Sequence, residues 1–160
     1  MNDFWLRLEY LPLSAEIGAT AWFPLMESLH VLSMGIMLGA IVMVDLRVLG
    51  IAALRYPVQV MVRELVPWAA WAFVFATVTG LAMFITRASA HVQNPAFQIK
   101  LALLLLAGVN IALFHFRALP AMLRSARSDG APGLARVSAG LSLLLWSAVM
   151  LAGRWVGHVV

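Results

Sequence analysis

Residues 26–50, "MESLHVLSMGIMLGAIVMVDLRVLG", hold a glutamate and a histidine at the head of an otherwise apolar run that closes on Asp45 and Arg47. At 100° per residue, Glu27, His30, Met34, Met37 and Ile41 fall on one side of a helix, and Ser28, Gly35, Gly39 and Val42 on the other. One face is chemical and the other is built for close packing. An imidazole among thioethers on an apolar helix suits an axial ligand for a porphyrin iron. With Glu27 added, the same face becomes a ladder of metal ligands, Glu27, His30, Met34 and Met37, for copper or another metal ion. Ionisable groups inside hydrocarbon are costly and mark function, so both readings stand above a neutral histidine that merely bonds a Ser, a Thr or a backbone carbonyl.

A porphyrin iron also takes a second donor across the ring, and His or Met serves. Counted at about 1.5 Å per residue, His30 stands roughly 22 Å from Asp45, Met83 about 24 Å from Pro67 and Met150 about 21 Å from Arg136. Met83 and Met150 thus share its depth as candidate ligands, with core filling as their alternative role. His158, at about 33 Å, and His91 in an outer loop join them only if the outer segments fold inward. Lys100 either snorkels to the interface or sits over a cofactor's propionates or an anionic substrate. His115 lies about 19 Å below His30, too far to share one metal, which disfavours a two-haem arrangement with four histidines.

These residues need a scaffold, and composition says what kind. Hydrophobic residues make up 63% of the 160 and charged residues 11%, with a mean hydropathy of +0.93; a soluble surface needs roughly a quarter charged residues. The chain reads as an all-α integral membrane protein, a single four-helix domain with spans at about 20–44, 66–86, 97–116 and 136–157. Asp3, Arg7, Glu9 and Glu16 interrupt the N-terminus, which therefore does not read as a signal peptide. Phe4, Leu8 and Leu11 share one helical face beside Trp5, the pattern of a short helix lying in the interface. The absence of cysteine excludes disulfides, iron–sulfur clusters and covalent haem attachment. No nucleophile–base pair, phosphate loop or zinc motif is present in the sequence.

Basic residues set the orientation. Arg47, Arg55 and Arg63 follow the first span, and Arg117, Arg124, Arg127 and Arg136 lie between the last two. Both termini are therefore expected outside. The same loops account for a pI near 10.7 by attracting anionic lipid headgroups, with no nucleic acid required. "RSDGAPG" reads as a turn. Gly35 and Gly39 form a GxxxG, and Ala72, Ala76 and Gly80 recur every four residues on the second span; the spacing predicts that these two small-residue faces meet, or that the GxxxG supports a homodimer. Asn110 is expected to clamp two helices, and Asp45 to pair with Arg47 or to join Arg117 and Glu64 in a latch at the inner rim.

"ESLHVLSMGIMLGAIVMVDLRVLG", "VTGLAMF" and "NPAFQIKLALLLLAGVNIALFHF" resemble an uncharacterised family of small bacterial four-span membrane proteins over most of residues 22–116. More distantly, the Leu-His of the first span, a Gly about nine residues on, an Arg at its inner end and the Lys-Leu opening the third span resemble two better-understood groups. One is the four-helix membrane protoporphyrinogen oxidase and the other the copper-resistance D membrane domain. The oxidase resemblance implies haem at His30, with Arg47 and Lys100 as the other matching positions. This sequence departs from that group in carrying Met34 and Met37 in place of aromatic residues, Asn110 about where a third-span histidine is expected, and a different ending. The expectation is a haem b protein of the bacterial inner membrane that moves electrons between the quinone pool and an outward-facing partner. The alternatives are a copper or other metal permease and an oxidoreductase of porphyrin metabolism.

Overall fold

The computed structural model describes residues 2–124 and 132–158, so most of the turn expected over residues 127–133 lies outside the described residues. Two short helices, α1 (Asn2–Glu9) and α2 (Pro12–Ala19), lead into α3 (Trp22–Leu49), α4 (Val58–Ile85), α5 (Ala88–Gln93), α6 (Pro95–Leu113), α7 (Leu119–Arg124) and α8 (Gly133–Val156). Four segments are long and apolar enough to cross a membrane: α3, α4, α8 and the continuous stretch Pro95–Met122. The chain is a multi-pass membrane protein built as a helical bundle, and an even number of crossings puts both termini on one face.

Helix ends follow local chemistry. Gly50 takes a left-handed conformation, φ +78°, that closes α3 by donating its N–H to the Arg47 and Leu46 carbonyls. Pro57 precedes α4, and Pro95 opens α6, where Asn94 Oδ1 accepts from the Ala96 and Phe97 N–H groups. Asn94 also donates through Nδ2 to the Val156 carbonyl at 3.0 Å, which ties the start of α6 to the end of α8.

The inner ends of the first two spans run further than the sequence suggests. Hydropathy stops at Asp45 and restarts near Pro67, yet α3 continues to Leu49 and α4 begins at Val58. Pro67 lies inside α4 with its ring exposed, a placement that membrane helices tolerate. Between α6 and α7, residues Phe114–Ala118 widen into a π-helical turn that carries Phe114 and His115.

α3 and α4 form one antiparallel pair, α6 and α8 the other, and α3 packs on α8. α4 and α6 scarcely meet, which leaves a cleft along that side of the bundle. The core is a stripe of long side chains set against small ones: Met34 and Met37 from α3 cluster with Ala69, Ala72 and Ala76 of α4, Ala107 of α6, and Leu145, Trp146 and Val149 of α8. The expected meeting of two small-residue faces does not occur. Gly35 and Gly39 are exposed, with nothing within 4 Å of where a Cβ would stand. The alanine stripe of α4 instead receives the methionine and histidine face of α3, because long flexible side chains fill the space above alanines better than a second row of glycines.

The N-terminal helices cap the face that carries the termini. Glu9 Oε1 accepts from Ser89 N–H at 2.7 Å and from the Ser89 hydroxyl at 2.6 Å. Ser14 donates to the Ile85 carbonyl at 2.9 Å, and Trp5 meets Phe84 edge-on at 5.9 Å. α1 is thus anchored to α4 and α5, with Phe4 61% exposed on its outer side.

Candidate functional site

His30 is half-buried on α3 and faces α4. Its Nδ1 lies 2.8 Å from the Ala76 carbonyl and 3.2 Å from Thr79 Oγ1. A carbonyl only accepts, so the ring proton sits on Nδ1 and the lone pair on Nε2. The Thr79 hydroxyl spends its own hydrogen on the Phe75 carbonyl at 2.8 Å and so offers the ring an acceptor as well. Gly80 makes room for this arrangement: a Cβ there would stand 3.1 Å from His30 Cε1 and 3.4 Å from Nδ1. Nε2 has no hydrogen-bond partner among the described residues, and it is not enclosed, since Asp45 Oδ2 alone combines those two properties there.

The space beside His30 is the outer part of the cleft, a cavity of about 610 Å³ that falls within the roughly 300–1,000 Å³ of small-molecule sites. Phe73, Leu81 and Phe84 of α4 form one wall and Phe97, Leu101 and Leu104 of α6 the other. Lys100 also lines it, half-buried and packed against α8, its Nζ 3.6 Å from the position of a Cβ on Gly153. Its ammonium is close enough to act electrostatically on His30 and has no ion-pair partner among the described residues. An apolar cavity with one tautomerically fixed imidazole and one cation unpaired among the described residues suits an amphiphilic ligand with anionic groups.

At the mouth, His91 stacks on Phe84 at 6.0 Å and tilts against Phe97 at 5.8 Å. Burial pushes its pKa below the ordinary value, the Arg87 and Lys100 charges add to that, and Glu9 opposes it.

A second chamber of about 280 Å³ lies nearer the basic face and shares Phe73 and Leu104 with the first. Asn110 and Ser138 close on each other across α6 and α8, Nδ2 to the Ser138 carbonyl at 3.0 Å and the Ser138 hydroxyl to Oδ1 at 2.9 Å, which is the expected interhelical clamp. The expected rim latch is absent. Asp45 is 7% exposed and points into the chamber, with no ion pair among the described residues, while Arg47 donates through Nε to the Tyr56 carbonyl at 2.6 Å. A periodicity of 100° explains the difference, because Asp45 is two heptads and one residue beyond His30 and shares its inward face, whereas Arg47 lies about 200° further round.

The other residues singled out by sequence disperse. Met34 lines the outer chamber and Met37 the inner one. Glu27 is exposed, and among the described residues no three His, Asp or Glu side chains gather where they could hold a metal ion. Met83 is half-buried and does not line the cleft. Met150 is 36% exposed, and His158 is exposed with Nδ1 on the Arg154 carbonyl at 3.1 Å. Among the described residues Met34 is the one thioether that lines the outer chamber, and it stands one turn from His30 on the same helix. Sequence reasoning missed Ala76, Thr79 and Gly80 as the seat of His30. The small-residue stripe of Ala72, Ala76 and Gly80 and the adjoining "VTG" triplet were their signals, but a backbone acceptor has no signature of its own.

A family model described as a family of unknown function, DUF6644, matches residues 7–159, and the chain belongs to that family. None of the curated proteins and none of the solved structures matches.

Proposed function

We propose that this member of a family of unknown function binds haem b in the cleft between α4 and α6, with His30 Nε2 as the iron ligand and the Lys100 ammonium balancing a propionate. It works as an electron carrier of the bacterial inner membrane, between the quinone pool and a partner on the face that carries the termini. The observation that supports this most is that Nε2 is left without a partner among the described residues and unenclosed beside the cleft while Nδ1 gives its proton to the Ala76 carbonyl, the arrangement characteristic of histidines that ligate metals and not required of one that merely bonds a neighbouring helix. The distant resemblance of the first and third spans to the four-helix protoporphyrinogen oxidase points the same way.

When bound, haem supplies reversible one-electron chemistry at the iron. The chain's own residues do the rest. Ala76 holds the ring proton and keeps Nε2 basic, Gly80 leaves the ring its space, and the aromatic walls keep water out. Among the described residues lining the outer chamber, His30 is the one that would hold the iron and Lys100 the one that would meet an anionic group of the cofactor. Exposed Gly35 and Gly39 suit contact with a second copy of the chain.

Protein purified from cells supplied with haem should show a Soret band that His30→Ala abolishes and His115→Ala leaves intact. A colourless wild-type protein, or a band that survives His30→Ala, refutes the assignment.

A further inference from the structure

Asp45 takes no part in the outer chamber, yet it is the most conspicuous polar group in the bundle. Asp45 is 7% exposed, Ser142 offers its carboxyl one hydrogen bond, and Oδ2 is enclosed with no partner among the described residues. No cation among the described residues pairs with it. The nearest arginine in sequence, Arg47, is committed to the Tyr56 carbonyl. Leaving a buried carboxylate unpaired is among the costlier things a fold can do, so this one calls for a counterpart.

The chamber around it indicates what kind. Asn110 and Ser138 are satisfied by each other. His115 holds its Nδ1 proton on the Ile111 carbonyl at 3.1 Å, which leaves Nε2 as an acceptor. The polar groups of the chamber that these bonds leave over, the Asp45 carboxylate and His115 Nε2, are therefore both acceptors, and the matching ligand must be a donor. The remaining walls are apolar and aromatic, with Phe73, Phe114 and Trp146 presenting rings. Rings of this kind also attract a cation. At about 280 Å³ the space admits a small body, about one ring with a short chain. The chamber shares Phe73 and Leu104 with the cleft between α4 and α6, the side on which these helices scarcely meet and from which a lipophilic cation dissolved in the bilayer would arrive.

We propose that the inner chamber is a binding site for a small lipophilic monoamine, whose ammonium pairs with the Asp45 carboxylate that lines it while its apolar body packs on Phe73, Phe114 and Trp146. The π-helical turn of residues 114–118 contributes by carrying Phe114 and His115, both of which line this space. The site is separate from the iron ligand and does not depend on haem.

The test is equilibrium binding of tritiated phenethylamine to the full chain in nanodiscs of phosphatidylcholine, which carries no net charge to attract the amine. Saturable binding is expected, displaced by unlabelled phenethylamine and not by phenethyl alcohol, its neutral isostere. Asp45→Asn should weaken it roughly tenfold or more, as loss of a buried charge partner does. Gly108→Leu keeps the carboxylate and fills the chamber from α6, where nothing lies within 4 Å, and should weaken binding too. A Soret band unchanged by Asp45→Asn separates this outcome from that of the haem assignment. Absence of saturable binding, equal affinity in Asp45→Asn, or equal displacement by the alcohol overturns the proposal and leaves Asp45 with a proton as its counterpart.

Discussion

Substituting Gly80 by alanine adds one methyl group and tests the His30 seat directly. The new Cβ would stand 3.1 Å from Cε1 and 3.4 Å from Nδ1, so the imidazole must retreat by a few tenths of an ångström. It is held by a 2.8 Å bond to the Ala76 carbonyl, and a retreat of that size takes the bond toward about 3.1 Å, the long end of the N–H···O range. Losing such a partner outright costs about 10- to 100-fold in metal affinity. Stretching it should cost about tenfold, or ~1.4 kcal/mol. The fold itself should not suffer, since alanine is favoured over glycine in a helix by about 1 kcal/mol. Haem titration followed at the Soret band measures the effect, with Gly140→Ala as the control because nothing lies within 4 Å of that position. Gly80→Leu, which intrudes on the cavity, should lose haem altogether. Wild-type affinity in Gly80→Ala, or an equal loss in Gly140→Ala, refutes the argument that Gly80 exists to seat the ring.

Removing the Asn110 clamp by Asn110→Ala deletes two interhelical bonds of 3.0 and 2.9 Å and strands the Ser138 hydroxyl. At about 0.6 kcal/mol per membrane hydrogen bond, and more where a buried partner is left over, the loss should be about 1–2 kcal/mol, read by equilibrium unfolding in mixed micelles. The outer cap should respond to pH. His91 has its folded pKa below the ordinary 6.5, so between the two values the unfolded state binds more protons and stability rises with pH. The cap is fully stable above about pH 6.5 and weakens below it. The protection factors of the α1 and α5 amides, which are corrected for the slower intrinsic exchange in acid, should therefore fall from pH 7.5 to 5, and His91→Phe, which keeps the stack on Phe84 and Phe97, should flatten that dependence.

The sequence was informative wherever one residue type decides the outcome. Four long apolar runs had to become spans, because backbone polar groups in hydrocarbon are satisfied only within helices. Asn110 had to find a partner, and it did. The inward face of α3 was legible from its 100° periodicity, from His30 through Ile41, and the same count carried one turn further would have placed Asp45 inside. Hydropathy obscured this, since a charged residue resembles a boundary whether or not it is buried.

Composition, hydropathy and periodicity by themselves determined that this chain crosses a membrane as a helical bundle and that α3 turns a histidine inward. They act through solvent transfer and helix geometry, which are properties of each segment alone. Only the tertiary structure decided that the alanine stripe of α4 receives the His30 face and not the GxxxG, that His30 bonds a backbone carbonyl through Nδ1, and that α4 and α6 stand apart to open a cleft. Those outcomes depend on how long and small side chains from separate helices interlock, and shape complementarity between segments leaves no mark on either segment's sequence.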